Sequence, residues 1–65
     1  MTMTLNGEPR DLASPRSLDG LLAEWGYVKG FAVAVNGGFV PRAHYPDTVI
    51  RDGDAVEVLT PMQGG

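Results

Sequence analysis

The chain has 65 residues, 43% of them hydrophobic, with five basic side chains against eight acidic ones for a net charge of −3, and no cysteine. A chain of this size buries only roughly 60% of its unfolded surface, which allows one domain and argues against a deep enzyme pocket. The lack of cysteine excludes a disulfide framework, a Cys-ligated metal site and a thiol nucleophile, and the scattered basic residues argue against nucleic acid or an anionic membrane as partner. The start, Met1 to Gly7, has no basic region or long apolar run. No segment nears the ~18 apolar residues of a membrane helix, so a soluble, cytoplasmic protein is expected.

Met3 and Leu5 alternate with Thr2, Thr4 and Asn6, the two-residue period of a half-buried strand. Asn6-Gly7 marks a tight hairpin turn, and Glu8 to Leu12 reads as the return strand. Pro9 lacks a ladder donor and so suits an edge position. From Ser17 the period changes. Leu18, Leu21, Leu22 and Trp25 fall at i, i+3, i+4 and i+7 and form one apolar helical stripe. Ser17 is a good N-cap, Asp19 complements the dipole in the first turn, and Gly26 can take the left-handed position past the end. This predicts a helix of about three turns, weakened by Gly20 and therefore dependent on packing against a sheet.

Phe31, Val33 and Val35 alternate with Ala32 and Ala34 as a third strand, and Asn36-Gly37-Gly38 turns the chain into a short fourth strand at Phe39-Val40. Pro41 to Asp47 holds two prolines and reads as an irregular crossing segment. Thr48 to Arg51 leads into the turn Asp52-Gly53-Asp54, and Ala55 to Thr60 is the last strand, with Val56 and Val58 on the core face. Pro61 ends it.

The order is thus strand, strand, helix, strand, short strand, strand. One helix on one face of a small mixed sheet is an α+β arrangement, and this order in so short a chain is that of the β-grasp, or ubiquitin-like, fold. The last strand can then pair beside the first in the middle of the sheet. Residues 1–61 form the body, and Met62, Gln63, Gly64 and Gly65 form a flexible tail.

Catalytic groupings are nearly absent. His44 is the only histidine, which leaves little for a metal cluster or a Ser-His-Asp triad. It reads as a loop residue. Asp52 and Asp54 flank a glycine between two strands and read as a turn rather than a carboxylate pair. Asn36-Gly37-Gly38 lacks the spacing and the following helix of a phosphate-binding loop.

What remains is Gly64-Gly65. Without a Cβ, such a tail threads a narrow channel and brings its backbone close to a nucleotide and a nucleophile. A carboxylate at its end is ionised at neutral pH and is a poor acyl donor. An enzyme must first convert it to an acyl-adenylate with ATP. Sulfur attack on that species gives a thiocarboxylate, and amine attack gives an isopeptide. A chain without cysteine that carries sulfur has to hold it at the acyl group. Leu59, turned away from the core at the base of the tail, is a candidate anchor for a partner, with Ala32 and Ala34 keeping the neighbouring face flat.

Over essentially its whole length the sequence resembles the sulfur carrier proteins of thiamine biosynthesis (ThiS). The similar features are Ala34-Val35-Asn36 followed by Val40-Pro41-Arg42, Tyr45, Asp52-Gly53-Asp54 before the alternating Val56 and Val58, and the final Gly64-Gly65. Gly37-Gly38 and Pro61-Met62-Gln63 depart from the family. The resemblance implies a carrier and not a catalyst, with no bound cofactor or metal. An E1-like adenylyltransferase activates Gly65 with ATP and Mg, and sulfur from a cysteine desulfurase arrives through a persulfide relay. Thiazole synthase then receives the sulfur. The small subunit of molybdopterin synthase and ubiquitin-like modifiers share the Gly-Gly handle. A regulatory TGS-like module, whose last strand can also read Gly-Asp-x-Val-Glu-Val, is an alternative of a different class.

Overall fold

The structure is a computed structural model and describes residues 1–28 and 30–60. The first hairpin joins β1 (Thr2–Leu5) to β2 (Glu8–Asp11) through Asn6-Gly7, with Leu5 opposite Glu8 and Thr4 opposite Pro9. Asn6 and Gly7 have φ of 52° and 84°, the pair of positive angles whose twist matches that of the flanking strands. A two-residue strand, β3 (Arg16–Ser17), leads directly into α1 (Leu18–Glu24). After the helix come β4 (Ala32–Val35) and β5 (Gly38–Val40), joined by Asn36-Gly37 with the same pair of angles. A 3-10 helix (Arg42–Asp47), β6 (Val49–Ile50) and β7 (Ala55–Leu59) complete the described chain.

Five strands form one mixed sheet in the order β2-β1-β7-β4-β5. The last strand is central, parallel to β1 and antiparallel to β4. This is the β-grasp arrangement, with β2 and its Pro9 at an edge as expected. Strand alternation divides the side chains. Met3, Leu5, Val33, Val56 and Val58 are buried on the inner face, where they share a core with Leu18, Leu21 and Leu22 of α1.

α1 spans seven residues, about two turns where the sequence predicts three. Both ends are closed by the expected residues. Ser17 Oγ accepts from Gly20 N at 3.1 Å. At the other end Gly26 N donates to Ala23 O and Tyr27 N to Leu22 O, with Gly26 at φ 88°. That pair of bonds is a Schellman closure, which satisfies two carbonyls of the last turn and stops the helix before Trp25 can extend it. Trp25 packs half-buried against the core from the cap instead. Gly20 has a local reason too: a Cβ there would lie 3.2 Å from the capping Ser17 Oγ.

Two further features differ from expectation. The segment from Pro41 is an ordered 3-10 helix rather than an irregular crossing, carried by bonds such as His44 N to Pro41 O at 2.9 Å. It buries Tyr45, whose ring stacks on Phe31 at a centroid distance of 6.0 Å. In addition β3 and β6 pair as a second, two-stranded sheet, Arg16 opposite Ile50 and Ser17 opposite Val49. That pairing places Ile50 in the core alongside the helix, and Leu12, whose N–H donates to Met1 O at 2.7 Å, joins the same core.

Candidate functional site

The polar residues suspected of chemistry are occupied by structure. Asp52 Oδ1 accepts from Thr2 N at 2.9 Å, and Asp54 Oδ2 accepts from Arg51 N at 2.9 Å. Asp54 therefore closes the turn before β7, as the turn reading expects, and Asp52 ties that turn to the start of β1. His44 is exposed on the 3-10 helix, and its carbonyl accepts from Thr48 Oγ1. Among the described residues no group of three or more His, Cys, Asp or Glu side chains could hold a metal, and no helix is long and apolar enough to cross a membrane.

The informative region is the outer face of the sheet around the end of β7. Register places Leu59 opposite Ala32, Ala34 opposite Glu57, and Ala34 opposite Phe39 on its other side. Residues directly opposite share a face, so Leu59, Ala32, Ala34 and Phe39 form one apolar strip with Glu57 beside it. Leu59 is 68% exposed and Phe39 70% exposed. Two such side chains joined by small alanines differ from the isolated surface leucine that needs no explanation. Leu59 and Thr60 also border a shallow groove of about 480 Å³ with Gly30, Phe31 and Ala32. The alternation of Val56 and Val58 placed Leu59 outward correctly. Phe39 was not singled out from sequence. Its signal was the inward Val40 beside it, which turns Phe39 to the outer face.

A second groove, of about 410 Å³, lies on the helix side between α1 and the 3-10 helix, with Asp19, Tyr27, Phe31, Arg42 and Tyr45 along it. No nucleophile and base come together there. Met62, Gln63, Gly64 and Gly65, the residues to which the sequence assigns the chemistry, lie outside the described residues.

Fold and surface together define a β-grasp body whose central strand leads, through an exposed apolar strip, to the C-terminal residues. The ThiS family model matches residues 3–65. The chain is 47% identical over 62 residues to the sulfur carrier protein ThiS of Thermus thermophilus, a match covering 94% of this chain and 95% of that one. A thiazole synthase of Paramagnetospirillum magneticum is 32% identical over 66 residues, which cover all of this chain and 20% of that protein. The crystal structure of the thiamine biosynthesis protein ThiS from Geobacter metallireducens superposes with a TM-score of 0.86 at 33% identity, covering all of both chains. The chain belongs to the ThiS family, that of the sulfur carrier protein of thiamine biosynthesis.

Proposed function

We propose that this protein carries sulfur as a thiocarboxylate on Gly65 and delivers it for thiazole formation. The observation that supports this most is that the family match runs through Gly64 to Gly65, so the glycines fall within the family pattern. Gly65 supplies the acyl group. An E1-like adenylyltransferase joins its carboxylate to AMP from ATP, with Mg on the phosphates, and releases pyrophosphate. The terminal sulfur of a persulfide supplied through a cysteine desulfurase then attacks the acyl carbon and AMP leaves. A thiol cleaves the resulting acyl disulfide, taking the carrier cysteine into a new disulfide and leaving the thiocarboxylate. ATP and Mg belong to the activating enzyme; the carrier itself contributes the acyl group and the docking body. Gly64 has no side chain to obstruct entry into that enzyme's channel.

The receiving partner is thiazole synthase, and the presence of a similar segment within one such enzyme supports the pairing. Docking uses the outer sheet face, with Leu59 as anchor beside Ala32 and Ala34, and Phe39 extending the strip. This places the apolar contact at the base of the residues that must enter two successive active sites.

Removing Gly65, or the substitution Gly64→Trp, is expected to abolish pyrophosphate exchange by the cognate adenylyltransferase. The fold should survive, because the described core closes among residues between Met3 and Val58. Undiminished exchange by the Gly65 deletion would overturn the assignment.

A further inference from the structure

The two flanks of β7 are paired to different depths. On the β4 side, pairing continues to Leu59 opposite Ala32. On the β1 side it stops at Val56 opposite Leu5, because β1 ends at the Asn6-Gly7 turn. Backbone groups alternate along a strand, so the Val58 N–H faces the β1 side one rung beyond the last strand residue. Val58 is buried, and a buried N–H without a partner is costly.

Asn6 supplies the missing rung. Its own N–H donates to Val56 O at 2.9 Å, and its Oδ1 accepts from Val58 N at 2.8 Å. Main chain and side chain of one residue thereby hold two successive rungs of the central strand. Asn36 occupies the equivalent position in the other hairpin, with the same φ of 52°, but its Oδ1 accepts from Ala55 N at 2.9 Å. One asparagine holds the beginning of β7 and the other its end. Turn geometry favours asparagine at this position but does not require its carboxamide to reach Val58 N, which is the contact that ties the turn to β7.

We propose that Asn6 is a positioning residue: by closing the rung at Val58 it fixes the direction in which Thr60 leaves the sheet toward the residues that carry the acyl group. The consequence for transfer rests on the adenylation reading above. Leu59 stays paired with Ala32 on the β4 side, so loss of the Asn6 acceptor leaves the outer face in place for docking but lowers the fraction of docked complexes in which the terminal carbonyl reaches the nucleotide. The deficit therefore falls on kcat rather than KM.

The test compares Asn6→Gly with Asn6→Asp in the full chain. Glycine keeps the positive φ and lacks the acceptor, whereas aspartate tolerates that φ and retains it. In Asn6→Gly the Val58 amide is expected to exchange with solvent about tenfold faster. Its kcat in pyrophosphate exchange should fall about tenfold with KM held within about twofold. Asn6→Asp should restore both. A wild-type Val58 exchange rate in Asn6→Gly overturns the proposal, as does a wild-type kcat despite faster exchange. If the wild-type chain is itself not adenylated, the functional reading fails. Residual dipolar couplings of Thr60 in the free chain then decide the positioning role. Couplings unchanged by Asn6→Gly overturn it, and reduced couplings restored by Asn6→Asp support it.

Discussion

Val58 and Leu59 are neighbours in β7, yet one is 5% exposed against the helix-covered core and the other 68% exposed on the outer face. The inner face continues through Val33 and Val56 to Leu18, Leu21 and Leu22 of α1. The outer face continues through Ala32 and Ala34 to Phe39. Burial of apolar surface accounts for the first set. It does not account for two large apolar side chains, Leu59 and Phe39, left in solvent at the two ends of that strip. Folding explains one face of the sheet and leaves the second free for the docking proposed above.

The inner face should respond most strongly to truncation. Leu21 is fully buried in the middle of the helix stripe. Leu21→Ala is expected to cost about 2 to 5 kcal/mol through lost burial and the cavity left behind, a large share of the roughly 5 kcal/mol at the low end for a small domain. Denaturant titration reads this directly. A loss below about 1 kcal/mol would show that the stripe is not packed as described.

On the outer face the balance should reverse. Leu59→Asp removes an exposed side chain and is expected to change stability by no more than about 0.5 kcal/mol. Its affinity for both the adenylyltransferase and the thiazole synthase should weaken by about tenfold or more if Leu59 anchors the docked body. Calorimetric titration of the folded variant separates the two effects. Unchanged affinity for both enzymes would move the docking surface elsewhere.

Much of this division was legible in the sequence because it depends on periods. The two-residue alternation of Val56 and Val58 set Leu59 outward, and the helical spacing from Leu18 set the core stripe. Local chemistry located Ser17 and Gly26 at the ends of the helix. Elements too short to show a period were not legible. Arg16–Ser17 and Val49–Ile50 each offer two residues, and their pairing is visible only once the chain has brought them together. The burial of Tyr45 was hidden for a related reason: Pro41 and Pro46 mark a break from regular strand or helix, but a 3-10 turn accommodates them and still presents one ring to the core. Asn6 was legible as a turn residue but not as a partner of Val58, which lies far along the chain.

The acyl-bound sulfur is the claim on which the functional reading depends, and intact-mass analysis tests it most directly. The protein is incubated with its adenylyltransferase, Mg-ATP, a cysteine desulfurase with cysteine and a thiol reductant, and the peptide ending at Gly65 is then mapped. The expected product gains the mass of one oxygen exchanged for sulfur, confined to Gly65 and absent when ATP is withheld. A terminal peptide that remains unmodified while the adenylyltransferase is shown to be active, or one joined to an amine instead of sulfur, would contradict the account.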